Sequence, residues 1–272
     1  MKLFFVCGLL SVAGLQVQAA VIAAYQFDET SGNVADDAIR NTANSSGTLS
    51  NFGGTQWVTG KIGNALLFDG ADDFVWAADP LGSTTTKLSV SAWIWAGDPS
   101  TAGLQSPNQW GSITKAWGAG QFHFGFNAAT GAIGNYLNTS GANPTQSPST
   151  LSLEAWHHVA FTYDGTVGEH KLYIDGSLMD TKVAPLSLTS DGTNMGIGVK
   201  LNSGTATTPA TDGSQGYWKG MIDDLVYFDN ALTETEINTI ITNGNNGISA
   251  IPEPSSALLG GLGLLALMRR RR

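Results

Sequence analysis

The sequence predicts an all-β protein, built as a two-sheet antiparallel jelly-roll sandwich with one short C-terminal helix. Three observations support this fold class: many short runs of β-branched and aromatic residues, dense turn signals between them, and almost no helical periodicity. Asp-Gly pairs such as Asp164-Gly165 and Asp175-Gly176 are turn signals. Many short strands separated by turns are typical of sandwiches and jelly rolls.

The strand assignments depend on a period of two. Phe122, Phe124 and Phe126 are predicted to share one face of a strand, as expected for a half-buried strand. The runs assigned to strands are 23–27, 65–68, 74–77, 88–95, 122–127, 157–163, 171–174, 195–199 and 221–228. Stretches rich in Ser, Thr, Gly and Pro at 97–111, 138–150 and 202–216 are predicted to be long surface loops.

The single predicted helix spans residues 233–243. Thr233 and Glu236 have the spacing of a capping box, in which each side chain accepts a hydrogen bond from the other residue's backbone amide. Ile237, Ile240 and Ile241 form an apolar stripe at helical spacing, and Gly244 supplies a stop. We expect this helix to close the sandwich by packing and assign it no chemistry.

Residues 1–19 have the pattern of a signal peptide. A basic start, an apolar stretch over 3–15 and a small-residue cleavage site ending at Ala19 follow one another. The only cysteine, Cys7, is removed with this segment. We therefore expect an exported body, residues 20–246, with neither disulfide nor thiol chemistry.

Residues 247–272 have the pattern of a sorting tail. Pro252, Glu253 and Pro254 precede an apolar run over 257–268, and four arginines follow: Arg269, Arg270, Arg271 and Arg272. The tail resembles the PEP-CTERM signal recognised by exosortase systems of Gram-negative bacteria. This resemblance implies transient insertion of a transmembrane segment into the inner membrane, cleavage near Pro-Glu-Pro, and release to the outer surface or extracellular matrix. The alternative is permanent anchoring, for which the apolar run is short.

Charge argues against two classes of partner. Lys2 and the four arginines are five of the 13 basic residues, and Glu253 is one of the 22 acidic ones, which leaves the body with a formal charge of −13. Nucleic acids and anionic lipids are bound by basic patches. The balance instead suits solubility and the binding of hard cations.

The order of motifs along the body resembles the laminin G-like family with the concanavalin A-like jelly roll. These motifs are Ala24-Tyr25-Gln26-Phe27-Asp28-Glu29, the segments 60–70 and 72–75, Ala92-Trp93-Ile94, Trp156-His157-His158-Val159, Tyr173-Ile174-Asp175-Gly176 and Gly220-Met221-Ile222-Asp223-Asp224. The resemblance implies two curved antiparallel sheets, often with a structural calcium. It indicates fold more strongly than function.

A structural calcium ion is expected where the first and last strands meet. Asp28, Asp69, Asp223 and Asp224 lie at the ends of, or within, strands that the family fold brings side by side. Calcium takes 6–8 oxygen ligands, and the turn over 29–33 is predicted to add carbonyls. The alternative is that these acids are solvated turn residues, Asp69 above all.

The sequence does not predict a catalytic site. His157 and His158 are neighbours in a strand and are expected to face opposite sides. Glycoside hydrolysis needs two carboxylates across the scissile bond, and no strand carries alternate acids on one face. The adjacent Asp223 and Asp224 are expected to point apart.

Tryptophans are the candidates for ligand binding, since sugars stack on aromatic faces. Trp93 and Trp156 fall in framework motifs and are expected in the core, whereas Trp110, Trp117 and Trp218 lie in or beside predicted loops. The alternative is that these loop tryptophans only cover the ends of the sandwich.

The sequence therefore predicts an exported, non-catalytic protein that binds carbohydrate, as extracellular polysaccharide, at the cell surface or in the matrix. A structural or adhesive matrix protein without sugar recognition is the first alternative. A polysaccharide-active enzyme is the second.

Overall fold

The computed structural model describes residues 19–40, 45–81, 85–97, 110–116, 122–127, 130–137, 145–183, 188, 194–202, 207–211, 213 and 215–244. Within these ranges the chain forms two antiparallel eight-stranded sheets and a short helix. Residues 1–18 of the predicted signal peptide, the sorting residues and Trp117 lie outside the described residues. No helix in the described ranges is long and apolar enough to cross a membrane.

The strands follow one another along the chain with these bounds: β1 (Val21–Tyr25), β2 (Val34–Ala35), β3 (Gly47–Ser50), β4 (Trp57–Thr59), β5 (Asn64–Asp69), β6 (Phe74–Ala77), β7 (Lys87–Ala96), β8 (Trp110–Ala116), β9 (Phe122–Asn127), β10 (Ala132–Leu137), β11 (Thr145–Gln146), β12 (Trp156–Asp164), β13 (Glu169–Ile174), β14 (Ser177–Val183), β15 (Met195–Ile197) and β16 (Lys219–Phe228). The helix, α1, spans Glu234–Asn243.

The first sheet has the strand order β14–β13–β12–β7–β16–β5–β4, and β1 also pairs with β16. The second sheet has the order β11–β10–β9–β8–β15–β6–β3–β2. In the first sheet, β16 pairs with β5 through residues 219–222 and with β1 through residues 225–228. β1 and β5 therefore follow one another along the same edge of β16, and residues 223 and 224 lie where they meet.

The core lies between the sheets. Alternate residues of β7, namely Leu88, Val90, Ala92 and Ile94, face inward and are buried. From the second sheet, the rings of Phe122 and Phe124 meet the ring of Phe161 at centroid distances of 5.1 and 5.2 Å. Each fully buried side chain of this size stabilises the fold by about 1.5–3 kcal/mol, so the alternation predicted from sequence accounts for much of the core.

The predicted helix is confirmed. The Thr233 hydroxyl accepts a hydrogen bond from the Glu236 amide at 3.3 Å, and Glu236 Oε2 accepts one from the Thr233 amide at 2.7 Å. Ile237 and Ile240 are buried in a cluster that also contains Val226, on the face of the first sheet opposite the core. The helix therefore covers the part of that outer face around Val226.

Substituting Thr233→Ala is expected to lower the free energy of unfolding by about 1 kcal/mol, because it removes the N-terminal cap. The exposed Thr235→Ala is the matched control, since the Thr235 side chain has no part in the cap. Thermal unfolding measures the difference as a fall of about 2–4 °C for Thr233→Ala alone. Equal melting temperatures for the two variants would contradict the role of the cap.

The sequence analysis missed β8 and β10, of seven and six residues, as well as several strands that are short or polar. β2 and β11 have two residues each, and β14, Ser177–Val183, has polar or exposed residues at most of its positions. Phe27, predicted to end the first strand, lies beyond it with a φ of 58°. This left-handed residue turns the chain at the point where the next residue, Asp28, leaves the sheet.

Candidate functional site

Three carboxylates gather where β1 and β5 meet along β16. Asp28 follows β1, Asn64 begins β5, and Asp223 and Asp224 lie in β16 between its two partner strands. Asp28 Oδ1 accepts the Asn64 amide at 2.8 Å, which fixes this carboxylate at the start of β5. The predicted meeting of the first and last strands is therefore confirmed by the pairing of β1 with β16.

The carboxylate of Asp223 is fully buried, and its two oxygens differ in their hydrogen bonding. Its Oδ2 accepts the amides of Lys61 and Ile62 at 2.8 and 3.0 Å, whereas its Oδ1 is buried without a hydrogen-bond partner among the described residues. Burial raises the pKa of Asp223 from 3.8 to about 7, and the Asp28 charge adds to the rise. A buried carboxylate oxygen without a partner is costly.

A β-bulge between Asp223 and Val226 changes how the adjacent acids are arranged. Asp224 has a φ of 47°, so the strict alternation of strand side chains fails here. Burial raises the pKa of Asp224 to about 8, and the charges of Asp223 and Asp28 raise it further. The alternation behind the expectation that Asp223 and Asp224 point apart therefore does not hold at these residues, and both carboxylates lie within the electrostatic reach of Asp28.

The loop between β4 and β5 closes around these acids. A Cβ atom on Gly60 would lie 2.6 Å from Asp223 Oδ2, and one on Gly63 would lie 2.0 Å from Asp28 Oδ1. Gly63 also has a φ of 67°, which favours glycine. Glu29 adds a buried Oε2 without a hydrogen-bond partner in the described ranges. The residue types fit a hard cation, which prefers carboxylate and carbonyl oxygens.

The structure does not place Asp69 with the other three predicted calcium ligands. This residue ends β5, whereas the Asp28 partner Asn64 begins it, so about 17 Å of strand separates them. In the sheet register Asp69 is opposite Lys219, not Asp223. Its carboxylate lies instead with those of Asp72 and Asp73, with ligand oxygens all within 4.8 Å of one another. Asp69 Oδ1 accepts the Ala71 amide at 2.7 Å, as a turn residue does.

Of the three tryptophans predicted to bind a ligand, Trp218 does not lie at the surface, so that prediction was wrong. It is 2% exposed, and its ring lies 6.5 Å from that of Phe126, in the core. The physical reason is alternation, because residues 218, 220 and 222 share the inward face as the chain enters β16. A buried indole offers no face to a sugar. Trp117 lies outside the described residues.

Trp110 is half-buried and begins β8. Its ring lies 4.8 Å from that of Tyr136 and 6.3 Å from that of His123. A Cβ on Gly134 would approach the Trp110 ring to 2.6 Å, so the indole lies directly against this glycine. The three rings form an aromatic patch on the second sheet, defined here as the Trp110 patch.

The two framework tryptophans differ. Trp93 is 7% exposed, stacks edge-on against His158 with centroids 5.3 Å apart, and has Lys61 Nζ 4.8 Å from its ring. Trp156, also expected in the core, is half-buried at the start of β12. In the sheet register it is opposite Trp95, which is half-buried too. Trp156 and Trp95 lie on the outer face of the first sheet, since the inward positions of β7 are occupied by Ala92, Ile94 and Ala96.

A cavity of about 480 Å³ opens beside Trp95. Its apolar walls include Trp95, Phe52 and Leu67, and Phe52 packs on Phe68 with ring centroids 5.4 Å apart. Gly53 and Gly97 have no side chains to fill it. Small-molecule sites are concave, mostly apolar and carry few polar groups, and this cavity has that character. We call it the Trp95 pocket.

Polar groups line the same pocket. Gln56 is 6% exposed; its Nε2 donates to the Gly32 carbonyl at 3.0 Å, and its Oε1 is buried without a hydrogen-bond partner in the described part of the chain. Asp73 is buried, accepts the Asp69 amide at 3.0 Å through Oδ2, and has its pKa raised by burial to about 6. Asp69 and Lys219 complete the polar lining. These groups can accept hydrogen bonds from the hydroxyl groups of a ligand and can donate hydrogen bonds to them.

The two histidines face different surroundings, as predicted. Burial lowers the pKa of His158 to about 4, which keeps it neutral against Trp93. His157 Nε2 lies 2.7 Å from Ser152 Oγ, and its Nδ1 lies 2.7 Å from Asp175 Oδ2. The hydrogen bonds link Ser152, His157 and Asp175 in the order of a Ser-His-Asp triad. Asp175 is half exposed, however, whereas the aspartate of a triad is buried.

A family profile described as the concanavalin A-like lectin/glucanases superfamily matches residues 68–238. The chain therefore belongs to that superfamily, as its motif order predicts. The PEP-CTERM protein-sorting motif matches residues 250–272, which marks an exported protein with a C-terminal sorting tail. A search of curated proteins finds no match.

Solved structures share the fold. Domain 4 of AbnA, a GH43 extracellular arabinanase from Geobacillus stearothermophilus in complex with arabinotriose, is 22% identical, with a TM-score of 0.60 over 81% of this chain and 98% of that one. The botulinum neurotoxin serotype D binding domain is 16% identical, with a TM-score of 0.56 over 84% and 52%. A Trypanosoma rangeli sialidase mutant is 12% identical, with a TM-score of 0.54 over 84% and 33%. This chain thus spans about half of the toxin domain and a third of the sialidase.

Proposed function

We propose that the protein is an exported, non-catalytic carbohydrate-binding domain that holds extracellular polysaccharide at the Trp95 pocket. The observation that carries this proposal is the pocket itself, which combines the half-buried indole of Trp95 with buried hydrogen-bonding groups. A sugar ring has apolar C–H faces and a rim of hydroxyls, so it matches an aromatic wall beside carboxylate and amide oxygens. The arabinotriose complex of a similar fold is consistent with this ligand class.

Binding is tested by passing the purified protein over insoluble polysaccharides and over an array of glycans. We expect retention on at least one neutral polysaccharide without release of new reducing ends. Retention on none would favour the alternative of a structural or adhesive matrix protein without sugar recognition. New reducing ends would instead indicate a polysaccharide-active enzyme.

We also propose a structural calcium ion held by Asp28, Asp223 and Asp224, without Asp69. The support is the Oδ1 of buried Asp223, which has no hydrogen-bond partner among the described residues, and the raised pKa values of Asp223 and Asp224, to which the Asp28 charge contributes. A divalent cation would offset the charge that these acids otherwise bury, and would stabilise the junction of β1, β5 and β16. The carboxylates and the backbone carbonyl of Asp28 or Glu29 would supply oxygen ligands.

The Trp110 patch remains a second location for glycan binding. Trp110 was predicted from sequence, and it is half-buried beside two other aromatic rings. We rank the Trp95 pocket above it because the pocket adds an enclosed volume and a buried oxygen without a partner among the described residues. Substitution at each tryptophan separates the two locations.

A second candidate function is ester hydrolysis at Ser152, His157 and Asp175, which the triad-like order of their hydrogen bonds favours. In that reaction Ser152 Oγ would attack the ester carbonyl while His157 takes its proton, and His157 would pass the proton to the alcohol that leaves as the ester C–O bond breaks. Water would then hydrolyse the acyl-serine, which releases the acid and restores Ser152. Hydrolysis of p-nitrophenyl acetate by wild type and by Ser152→Ala decides. If wild type and Ser152→Ala hydrolyse the ester at equal rates, these hydrogen bonds have a structural role. They then connect the segment before β12 to the turn at Asp175.

Sorting is the remaining part of the proposal. We infer that an exosortase-type enzyme cleaves the tail near Pro252-Glu253-Pro254, after transient insertion in the inner membrane, so that the body finishes at the outer surface or matrix of a Gram-negative bacterium. Mass spectrometry of the native protein is expected to find a mature C-terminus upstream of the apolar run. A mature population that keeps Arg272 would contradict processing and support permanent anchoring.

A further inference from the structure

We propose that the binding site continues beyond the Trp95 pocket as a row of side chains across the first sheet, and that it takes a linear, uncharged oligosaccharide lengthwise. The row consists of Leu67, Met221, Trp95 and Trp156. This inference rests on the proposed function and adds to it the length, direction and charge of the ligand.

The sheet register places the four residues in line. Met221 of β16 is opposite Leu67 of β5 and also opposite Trp95 of β7. Trp95 is in turn opposite Trp156 of β12. Residues directly opposite one another in antiparallel strands share one face, so all four side chains lie on the outer face of four consecutive strands. The inward positions beside them belong to Leu66, Ile222 and Ile94, which are buried in the core.

The row is accessible along its length. Leu67 is 37% exposed, and Met221, Trp95 and Trp156 are half-buried. Helix α1 covers the outer face at Val226 and Phe228, at the other end of β16. Three strand spacings give the row a length of about 14 Å, roughly that of three or four linked sugar rings. Two indoles on neighbouring strands supply consecutive stacking surfaces.

The two ends of the row differ, because polar groups lie at only one of them. The Trp95 pocket, with Gln56 Oε1 and Asp73, lies at the β5 end and holds one terminal part of the ligand by hydrogen bonds. The Trp156 end is an aromatic surface, which suits stacking of the following units. A chain of sugars would therefore enter the pocket at one end and extend over Trp95 and Trp156.

Charge selects the class of sugar. The carboxylates of Asp69, Asp72 and Asp73 have oxygens within 4.8 Å of one another at the pocket end, and they outnumber Lys219 there. The body as a whole is acidic. A uronic acid polymer would bring like charges together, which disfavours binding. Neutral or amine-bearing sugars avoid this repulsion.

A chain-length series tests the proposal with the full exported chain. Isothermal titration would use neutral gluco- and arabino-oligosaccharides of increasing length, with oligogalacturonates as the charged comparison. We expect affinity to rise at least about tenfold from one unit to three or four, and then to level off. Oligogalacturonates of the same length are expected to bind at least about tenfold more weakly.

Single substitutions test whether the binding site extends from the Trp95 pocket to Trp156. Trp156→Ala is expected to remove the gain from the later units and to leave binding of the shortest ligands unchanged, whereas Trp156→Phe keeps most of the gain. Leu67→Ser, at an exposed position, weakens ligands of every length and checks the pocket end if Trp156→Ala does not fold. Trp76→Ala, which removes a half-buried tryptophan of β6 in the second sheet, is the matched control and leaves the length dependence intact.

Three results would overturn the extension: affinity independent of length, equal weakening of every length by Trp156→Ala, or tighter binding of oligogalacturonates. These differ from failure of the proposed function, in which no saccharide binds or Trp95→Ala changes nothing. Short ligands that depend on Trp95 but gain nothing with length would retain the pocket and refute the row.

Discussion

Removal of the proposed calcium ion is expected to lower the melting temperature of the protein by more than about 5 °C at pH 8, the largest effect on stability that we predict. At this pH the folded state must hold Asp28, Asp223 and Asp224 together with two of the three carboxyls buried. Without a cation, the buried charges repel one another and lack solvation. Each 1 kcal/mol corresponds to about 2–4 °C for a domain of this size.

The measurement compares melting temperatures with excess calcium and with chelator. Asp223→Asn is expected to abolish most of the calcium effect, because the buried ligand loses its charge. Asp69→Asn is the matched control, since Asp69 lies at the other end of β5 and should leave the calcium effect unchanged. An unchanged melting temperature on chelation, with no metal detected by elemental analysis, would exclude the ion.

The chelated protein should also lose stability as the pH rises. The folded-state pKa values of Asp223 and Asp224 are raised from 3.8 to about 7 and about 8. Between about pH 4 and 8 the folded state therefore binds protons that the unfolded state has released, so the free energy of unfolding falls with pH. Calcium should flatten this dependence. A melting temperature that rises through this window in chelator would contradict the burial of both acids.

Trp95→Ala is expected to reduce polysaccharide retention by at least about tenfold, because a central aromatic ring in a binding pocket commonly contributes 2 kcal/mol or more. Affinity electrophoresis in gels containing the retained polysaccharide measures the effect. Gln56→Leu should weaken retention as well, since it removes the buried acceptor oxygen at nearly constant volume.

Trp110→Ala provides the comparison for this prediction. It removes the same residue type from the second sheet, and near-wild-type retention is expected. Loss of retention in Trp110→Ala alone, with both proteins folded by circular dichroism, would move the site to the Trp110 patch.

Much of the fold could be predicted because local patterns agree with the tertiary structure. The alternation through Phe122, Phe124 and Phe126 matches their burial, and the capping box of Thr233 and Glu236 is formed as predicted. Short strands such as β2 carry too few residues for a periodic signal. They are fixed by pairing with neighbours distant in sequence, which local propensity does not encode.

The candidate site was predicted less well, because it depends on register. Asp28 and Asp223 meet through strand pairing that the family resemblance implied, but placing Asp69 required knowing that it is opposite Lys219. The Trp95 pocket was missed because Gln56, Asp73 and Trp95 come from three separate segments. One signal was available: Val90, Ala92 and Ile94 alternate with Trp93 and Trp95, which places Trp95 on the outer face.

The central claim, glycan binding at the Trp95 pocket, is tested most directly by two-dimensional NMR of the tryptophan indole N–H groups. Each signal would be assigned by single Trp→Phe substitution, and the neutral oligosaccharide that binds best would then be titrated. We predict a saturable shift of the Trp95 signal, while the signal of the buried Trp218 stays in place. A Trp95 signal that does not move at saturating ligand, whether or not the Trp110 signal does, would contradict the account.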